Sequence, residues 1–460
     1  RKALEFAVGK FREFGLEARI MPMTRTISTE LHGGVNTNSG IAVGILKGAS
    51  DRVIVIGGHI DSAGPEIPGA NDDGSGSAVV IELSRVLSQT EHASTIVFAL
   101  FGGEEQGLRG SSYFVDNFAQ IDKVSLMLQV DMANGTDWLV PLIDAKDHRS
   151  PKWLIEASYE EMERLGYSGM YFPTHFFTFL TAMPGGGIGS DHQPFLERGI
   201  PAIDFTSDVN DPIHTPEDNF ENFKPGGLKR SGDLVYRLVQ RFDDGVPAEE
   251  QSDSFILQFR SSLLFFPLWS LQVFILISII LSGYALVALR TRRKEESPRM
   301  AIPGLKLFLL MLIIQTCVWL SENVVGLLKG TRIPWFSDPS GYFILGFVAA
   351  LLWIWIALRI VPSLRLSQRA DRYYLGAFLL LVILLALCAL ASVKLALYPA
   401  IALFMLALAI IVQKPWLKLL FWVLSPHFMY YLIFNEGFGL LSRSLGSASG
   451  EGISSSILLH

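Results

Sequence analysis

The sequence predicts an α/β domain built on a mostly parallel, mixed sheet flanked by helices, followed by an all-α polytopic membrane domain. Three observations carry that reading. Up to about residue 250, short β-rich apolar runs alternate with helical patterns; beyond residue 262, long apolar stretches are separated by short basic segments. The 460 residues are 50% hydrophobic and only 18% charged, too apolar for one water-soluble globule. The division expected is an α/β domain over 1–250, a linker over 251–262, a multi-pass domain over 263–434 and a non-cytoplasmic tail over 435–460.

The first domain is legible element by element. Residues 1–15, RKALEFAVGKFREFG, read as an amphipathic helix already inside a domain, and with Arg1 in place of Met an export signal or signal anchor is expected upstream. Residues 41–46, 53–58, 95–101 and 124–130 read as strands; 76–87, 152–165 and 227–242 read as helices. Near-continuous apolar strands between helices imply a sheet covered on both faces. Such sheets bind ligands at the carboxyl ends of their strands, so chemistry is expected in the polar residues that follow each strand.

In the second half, candidate spans cover roughly 264–288, 303–327, 341–361, 374–393, 396–413 and 416–433, each near the length at which a helix crosses hydrocarbon. Alternate connections are basic. Arg290, Arg292, Arg293, Lys294 and Arg299 follow the first span, Arg365, Arg369 and Arg372 the third, and Lys414 and Lys418 the fifth. The positive-inside rule places those loops in the cytoplasm and the first domain on the opposite side. Glu322 and His427 fall near span ends and read as interfacial, which gives a transport pathway little support.

A net charge of -6 without a basic run in the first half argues against a nucleic-acid partner. The only cysteines, Cys317 and Cys388, lie in apolar stretches, so any metal in the first domain must be held by His, Asp and Glu. Those residues stand where strands stop. The strand at 53–58 runs into His59, Ile60 and Asp61; residues two apart on extended backbone share a side, so Asp61 is placed to orient a metal-binding imidazole. Asp72 and Asp73 sit on a turn of Gly and Asn just before a helix. One can cap that helix, leaving the other free to bridge two cations about 3.5 to 4 Å apart.

The strand at 95–101 ends in Gly102, Gly103, Glu104 and Glu105, where one carboxylate can ligate a metal while its neighbour acts as general base. A fourth strand delivers Asp131, and the segment NDPIHTPEDN presents His214 near Asp218. Singly, each group reads equally well as structural. Together they offer the oxygen and imidazole donors that a di-zinc hydrolase needs. The sequence holds neither an H-E-x-x-H pair nor a G-x-S-x-G elbow.

The ordered motifs His59-Ile60-Asp61, Asn71 to Gly76, Glu104 to Ser111, Asp131-Met132, Ser190 to Phe195 and His214 to Asp218 resemble those of the di-zinc aminopeptidase family of bacterial leucyl aminopeptidases. The likeness covers roughly residues 1–245. It implies a zinc exopeptidase fold, a peptide substrate and two zinc ions per chain. Asp72 would bridge the ions, His59 and Asp131 would complete one site, and Glu105 and His214 the other. Glu104 would be the general base, Asp61 would orient His59, and Asp191 and His192 would lie behind the ligands or face substrate. Some relatives carry a tyrosine just before the last zinc histidine; Ile213 stands there instead, which leaves oxyanion stabilisation unassigned. In architecture the chain is similar to the endoplasmic reticulum metallopeptidase group, and bacterial membrane-anchored relatives fit as well. The function expected is a membrane-anchored zinc exopeptidase, read as an aminopeptidase; the alternative is a non-enzymatic zinc-binding membrane receptor or transport component.

Overall fold

The computed structural model describes residues 1–23, 39–135, 139–145, 148–167, 169–172, 174–182, 189–207, 213–248, 254–259, 262–291, 302–329, 339–360 and 370–430. The chain forms two compact units, Arg1–Pro267 and Leu268–His460.

The first unit runs α1 (Lys2–Glu13), β1 (Glu17–Pro22), β2 (Gly40–Leu46), β3 (Val53–His59), α2 (Gly74–Leu87), β4 (Thr95–Phe101), α3 (Arg109–Asn117) and β5 (Val124–Asp131). It continues through β6 (Val140–Leu142), β7 (Asp144–Ala145), β8 (His148–Arg149), α4 (Lys152–Leu165), α5 (Thr174–Thr181), α6 (Gln193–Glu197), β9 (Ala202–Thr206) and α7 (Gly226–Phe242). A hairpin, β10 (Ser254–Phe259) and β11 (Ser262–Pro267), closes the unit. Residues 254–259, expected in a linker, are therefore a strand.

Seven strands form one sheet in the order β1-β2-β4-β3-β5-β9-β6. The four central strands β4, β3, β5 and β9 are parallel, and β1, β2 and β6 add antiparallel at the flanks. The connection from β2 to β3 is too short for a crossover, which fits β2 running against its neighbour β4. Every residue of β3 is buried, as a central strand covered on both faces requires.

One core layer joins α1, α2, α4 and α7 to the sheet through residues such as Phe11, Leu83, Phe98, Leu154 and Leu234. The other lies under α3 and α6, where Phe101, Phe114 and Phe195 pack ring on ring at 5.7 to 6.2 Å between centroids. Gly44 in β2 makes room for the first layer: a Cβ there would meet the Phe11 ring at 2.8 Å.

The second unit holds α8 (Leu268–Thr291), α9 (Ile302–Lys329), α10 (Pro339–Ile360), α11 (Ala370–Ala391), α12 (Val393–Ile411) and α13 (Pro415–Tyr430). Among the described residues, three segments are long and apolar enough to cross a membrane: Leu268–Leu289, Tyr373–Ala391 and Val393–Ile411. The six expected spans thus meet six helices, three of which satisfy both criteria. The described part of α13 carries Pro426 inside it. Residues 264–267, expected at the start of the first span, belong to β11. Small residues let α12 pack closely: Ala396, Ala400 and Ala407 share a cluster with Ala285, Phe378 and Leu385. Arg292, Arg293, Lys294, Arg299, Arg365, Arg369 and the tail at 435–460 lie outside the described residues.

Phe11 is fully buried and its ring lies 6.0 Å from that of Phe98. Phe11→Ala is expected to destabilise the first unit by about 3–5 kcal/mol, read as a lower denaturant midpoint, with the cavity beneath α1 as the cause.

Candidate active site

β3 has β4 on one side and β5 on the other, so the chain reverses its direction of travel across the sheet at this strand. The crevice beyond the carboxyl ends of strands at such a point is where an open α/β sheet binds ligands. His59 ends β3, Glu104 and Glu105 follow β4, Asp131 ends β5, and His214 lies on the connection after β9.

These side chains meet around Asp72. Its Oδ1 lies 3.0 Å from His59 Nε2 and its Oδ2 lies 2.9 Å from His214 Nε2. Asp131 Oδ1 is 3.5 Å from His59 Nε2, and Glu105 Oε1 is 3.3 Å from His214 Nε2. Two triads therefore share one carboxylate: His59, Asp72 and Asp131, and Asp72, Glu105 and His214. Within each, one donor atom per residue falls within 4.8 Å of the others. Glu104 joins His59 and Glu105 in a third such group.

The neighbouring Asp73 faces the other way, into the frame. Its carboxylate accepts the backbone N–H groups of His59 at 2.9 Å, Gly76 at 2.8 Å and Met132 at 3.0 Å. One side chain thus caps α2 and ties together the ends of β3 and β5, the two strands that present His59 and Asp131. The helix-capping task falls to Asp73 and leaves Asp72 free.

Asp61 meets His59 through its backbone. The imidazole Nδ1 hydrogen-bonds to the Asp61 carbonyl at 3.1 Å, while the carboxylate stands 3.7 Å away and accepts the N–H of Glu104 at 3.2 Å. The carbonyl fixes the ring and the carboxylate fixes the Glu104 backbone. Ser190 donates to Asp131 Oδ2 at 2.8 Å and receives a hydrogen bond from Gln129 at 2.7 Å, which leaves Asp131 Oδ1 turned toward His59. Asp191 and His192, on the approach to α6, are fully buried and belong to neither triad.

Asp218 supplies a clamp that motif reading left without a role. Its Oδ1 and Oδ2 accept the N–H groups of Asn71 at 2.7 Å and Asp72 at 3.1 Å, and its carbonyl accepts that of Ala70 at 3.2 Å. The loop that carries His214 is thereby fastened to the turn that carries Asp72. The three non-glycine residues with positive φ among those described all border the cluster: Leu108 at 56°, Met132 at 67° and His214 at 56°. Backbone held in that region costs on the order of 1–3 kcal/mol per residue and persists where the surroundings over-determine it.

The charge balance calls for cations. Burial pushes the Glu104 carboxyl well above the usual range, and Asp191, Asp131 and Glu105 push it further. Burial raises Glu105 too. Burial opposes charge on His59, yet the charge of Asp131 and hydrogen bonds to neighbouring acids hold it well above 6.5. Hydrogen bonds to Asp72 and Glu105 raise His214 to about 10. Burial pushes Asp191 up to about 8 and holds His192 down at about 3. Paired divalent cations would replace the imidazole protons and neutralise the crowded carboxylates, and these donors are the oxygen and nitrogen set such ions take. The donors of both triads fit divalent cations.

The sheet and this cluster define an α/β domain with a site suited to a divalent metal pair. Residues 42–239 match Peptidase family M28. The chain is 30% identical over 240 residues to Aminopeptidase YwaD of Bacillus subtilis, a match covering 48% of this chain and 49% of that protein. It is 30% identical over 157 residues to Aminopeptidase Y of Saccharomyces cerevisiae, covering 34% and 27% respectively. Among solved structures, BSAP, a zinc aminopeptidase from Bacillus subtilis, aligns at 30% identity with a TM-score of 0.38, covering 45% of this chain and 50% of that one. The chain spans about half or less of the length of these curated relatives.

Two outcomes follow from the geometry. Asp218→Asn sets an amide N–H₂ against a backbone N–H at a site only 4% exposed, and is expected to destabilise the fold by about 1–3 kcal/mol and to weaken uptake of divalent metal, measured by denaturation and by metal titration. In metal-free protein the raised His214 holds its proton when folded. Its contribution to stability is complete below about 6.5, the unfolded value, and is lost as pH rises through about 10. Unfolding in chelator from pH 6 to 10 should show that decline, and His214→Gln should flatten it.

Proposed function

We propose that the chain is a membrane-anchored, zinc-dependent exopeptidase that removes residues from the amino terminus of peptides, using two zinc ions per chain. The observation that carries the reading is the sharing of Asp72, with one oxygen facing each imidazole, between two triads of metal-ligand type. The aminopeptidase names of its relatives support the substrate class. In this reading His59 and Asp131 would hold one zinc ion and Glu105 and His214 the other, with Asp72 shared between the two sets.

Zinc, when bound, supplies Lewis acidity toward the scissile carbonyl and the attacking water. The remaining work falls to the protein. Glu104 is the general base: it takes the proton of the attacking water and delivers it to the leaving amine. Burial holds its carboxyl well above the usual range, which suits a group that must both accept and return a proton. The Glu104 backbone is fixed by Asp61 and by the turn in which Gly107 and Leu108 donate to the Glu104 carbonyl, each at 2.9 Å. A substituent on Gly110 would meet the Gly102 carbonyl at 2.6 Å, so only glycine lets α3 pack beneath this turn. Asp191 and His192 act from behind the ligands.

The organisation proposed is a peptidase domain within Arg1–Pro267 and a multi-pass helical domain from Leu268 onward, with the peptidase on the non-cytoplasmic side. Support for the membrane comes from apolar helix surfaces that no water-soluble unit would display: Ile280 is 63% exposed, Leu379 64% and Leu390 86%.

Glu104→Gln is expected to lower turnover of amino-acid anilides and unblocked peptides by about 10²- to 10⁴-fold while zinc stays near two per chain. Full activity in that variant would sink the assignment, and cleavage of amine-blocked peptides alone would move the activity to the carboxyl terminus.

A further inference from the structure

We infer that the outer face of the β10–β11 hairpin meets lipid in the interfacial zone of the bilayer. The inference rests on the reading that α8 crosses a membrane and extends it to a surface outside the helices.

The hairpin has two unlike faces. Toward the domain, Ile256, Leu263 and Phe265 pack on the main core. On the same side Gln258 donates to the Met170 carbonyl at 2.8 Å and accepts the N–H of Phe172 at 2.6 Å. The opposite face carries Leu257, paired with Leu264, and Phe266, whose cross-strand partner Phe255 is buried. Leu264 is 44% exposed and Phe266 38%. An antiparallel ribbon lying on a globular domain ordinarily turns its polar residues to water. Here the amide side chain is spent on the interior, while Leu264 and Phe266 point away from it.

Covalent continuity selects the occupant. Pro267 ends β11 and Leu268 opens the 22-residue apolar segment of α8. Phe266 is therefore two residues from the span, within about 7 Å along the chain. Trp269, 65% exposed, stands on the first turn of α8. Aromatic side chains concentrate at the depth where headgroups meet acyl chains. An apolar face held at that depth by the chain itself meets lipid without any partner being recruited.

The test uses the full chain in phosphatidylcholine nanodiscs, with Cys317→Ser and Cys388→Ser removing both native cysteines. An environment-sensitive fluorophore is placed singly by Leu264→Cys, by Phe6→Cys on α1 as the aqueous control, and by Ile280→Cys in α8 as the bilayer control. The expected result is that the label at 264 is quenched by lipids bearing a shallow nitroxide and shielded from iodide, whereas the label at 6 shows the reverse. Iodide quenching at 264 with lipid quenching at 280 overturns this inference and leaves the membrane reading standing. Shielding of 264 from both quenchers also overturns it, because protein then covers the face. Failure of lipid quenching at 280 overturns the membrane reading, and this inference with it. Phe266→Cys repeats the measurement should Leu264→Cys fail to fold.

Discussion

The carboxylate of Asp73 holds the site together. It is 1% exposed and accepts three backbone N–H groups that belong to three different elements. A buried carboxylate is costly to leave unpaired, and charge-assisted bonds to N–H donors are among the stronger hydrogen bonds a protein forms. Once they form, the end of β3, the end of β5 and the start of α2 have one relative position. The separation between His59 and Asp131 is then fixed before either side chain meets a ligand. Ser75 extends the frame, donating to the Asn71 carbonyl at 2.7 Å and accepting the Ala133 N–H at 2.7 Å.

Much of the fold was legible because the central strands are apolar along their whole length and stop at polar residues. The strands expected at 53–58, 95–101 and 124–130 and the helix at 152–165 stand within a residue of the observed elements. In the seven-stranded sheet β1, β6 and β9 escaped notice, two of them for definite reasons. β1 carries Glu17 and Arg19 at an edge where one side meets solvent, so its pattern is weak. β9 is five residues long and holds Asp204, a buried acid that breaks an apolar run. The antiparallel flanks were likewise hidden, since apolar content does not encode strand direction.

The site was partly legible. Doublets such as Asp72-Asp73 and Glu104-Glu105 mark a place where two jobs must be done, but sequence does not say which acid does which. The division of labour is decided by backbone N–H groups, whose positions depend on tertiary contact between β3 and β5. The same limit explains Asp61, whose carbonyl holds His59, and Asp218, whose two oxygens act on backbone 146 and 147 residues away. A spacing rule cannot register a partner so distant, although a buried acid just after an imidazole was a signal worth weighing.

The opposed orientation of two adjacent aspartates also bears on how such a chain can vary. Between Asn71 and Gly76 every residue from 71 to 73 is pinned, at one end by Asp218 and at the other by the start of α2. Adding or removing one residue there would exchange a frame carboxylate for a site carboxylate and empty both positions at once. The stretch from Ser62 to Gly69 makes few such ties; its side-chain hydrogen bond runs only from Ser62 to the nearby Gly64 carbonyl. Length changes around the mouth of the site are therefore open to that loop and closed to the six residues after it, so a lineage can reshape what enters without touching what receives it.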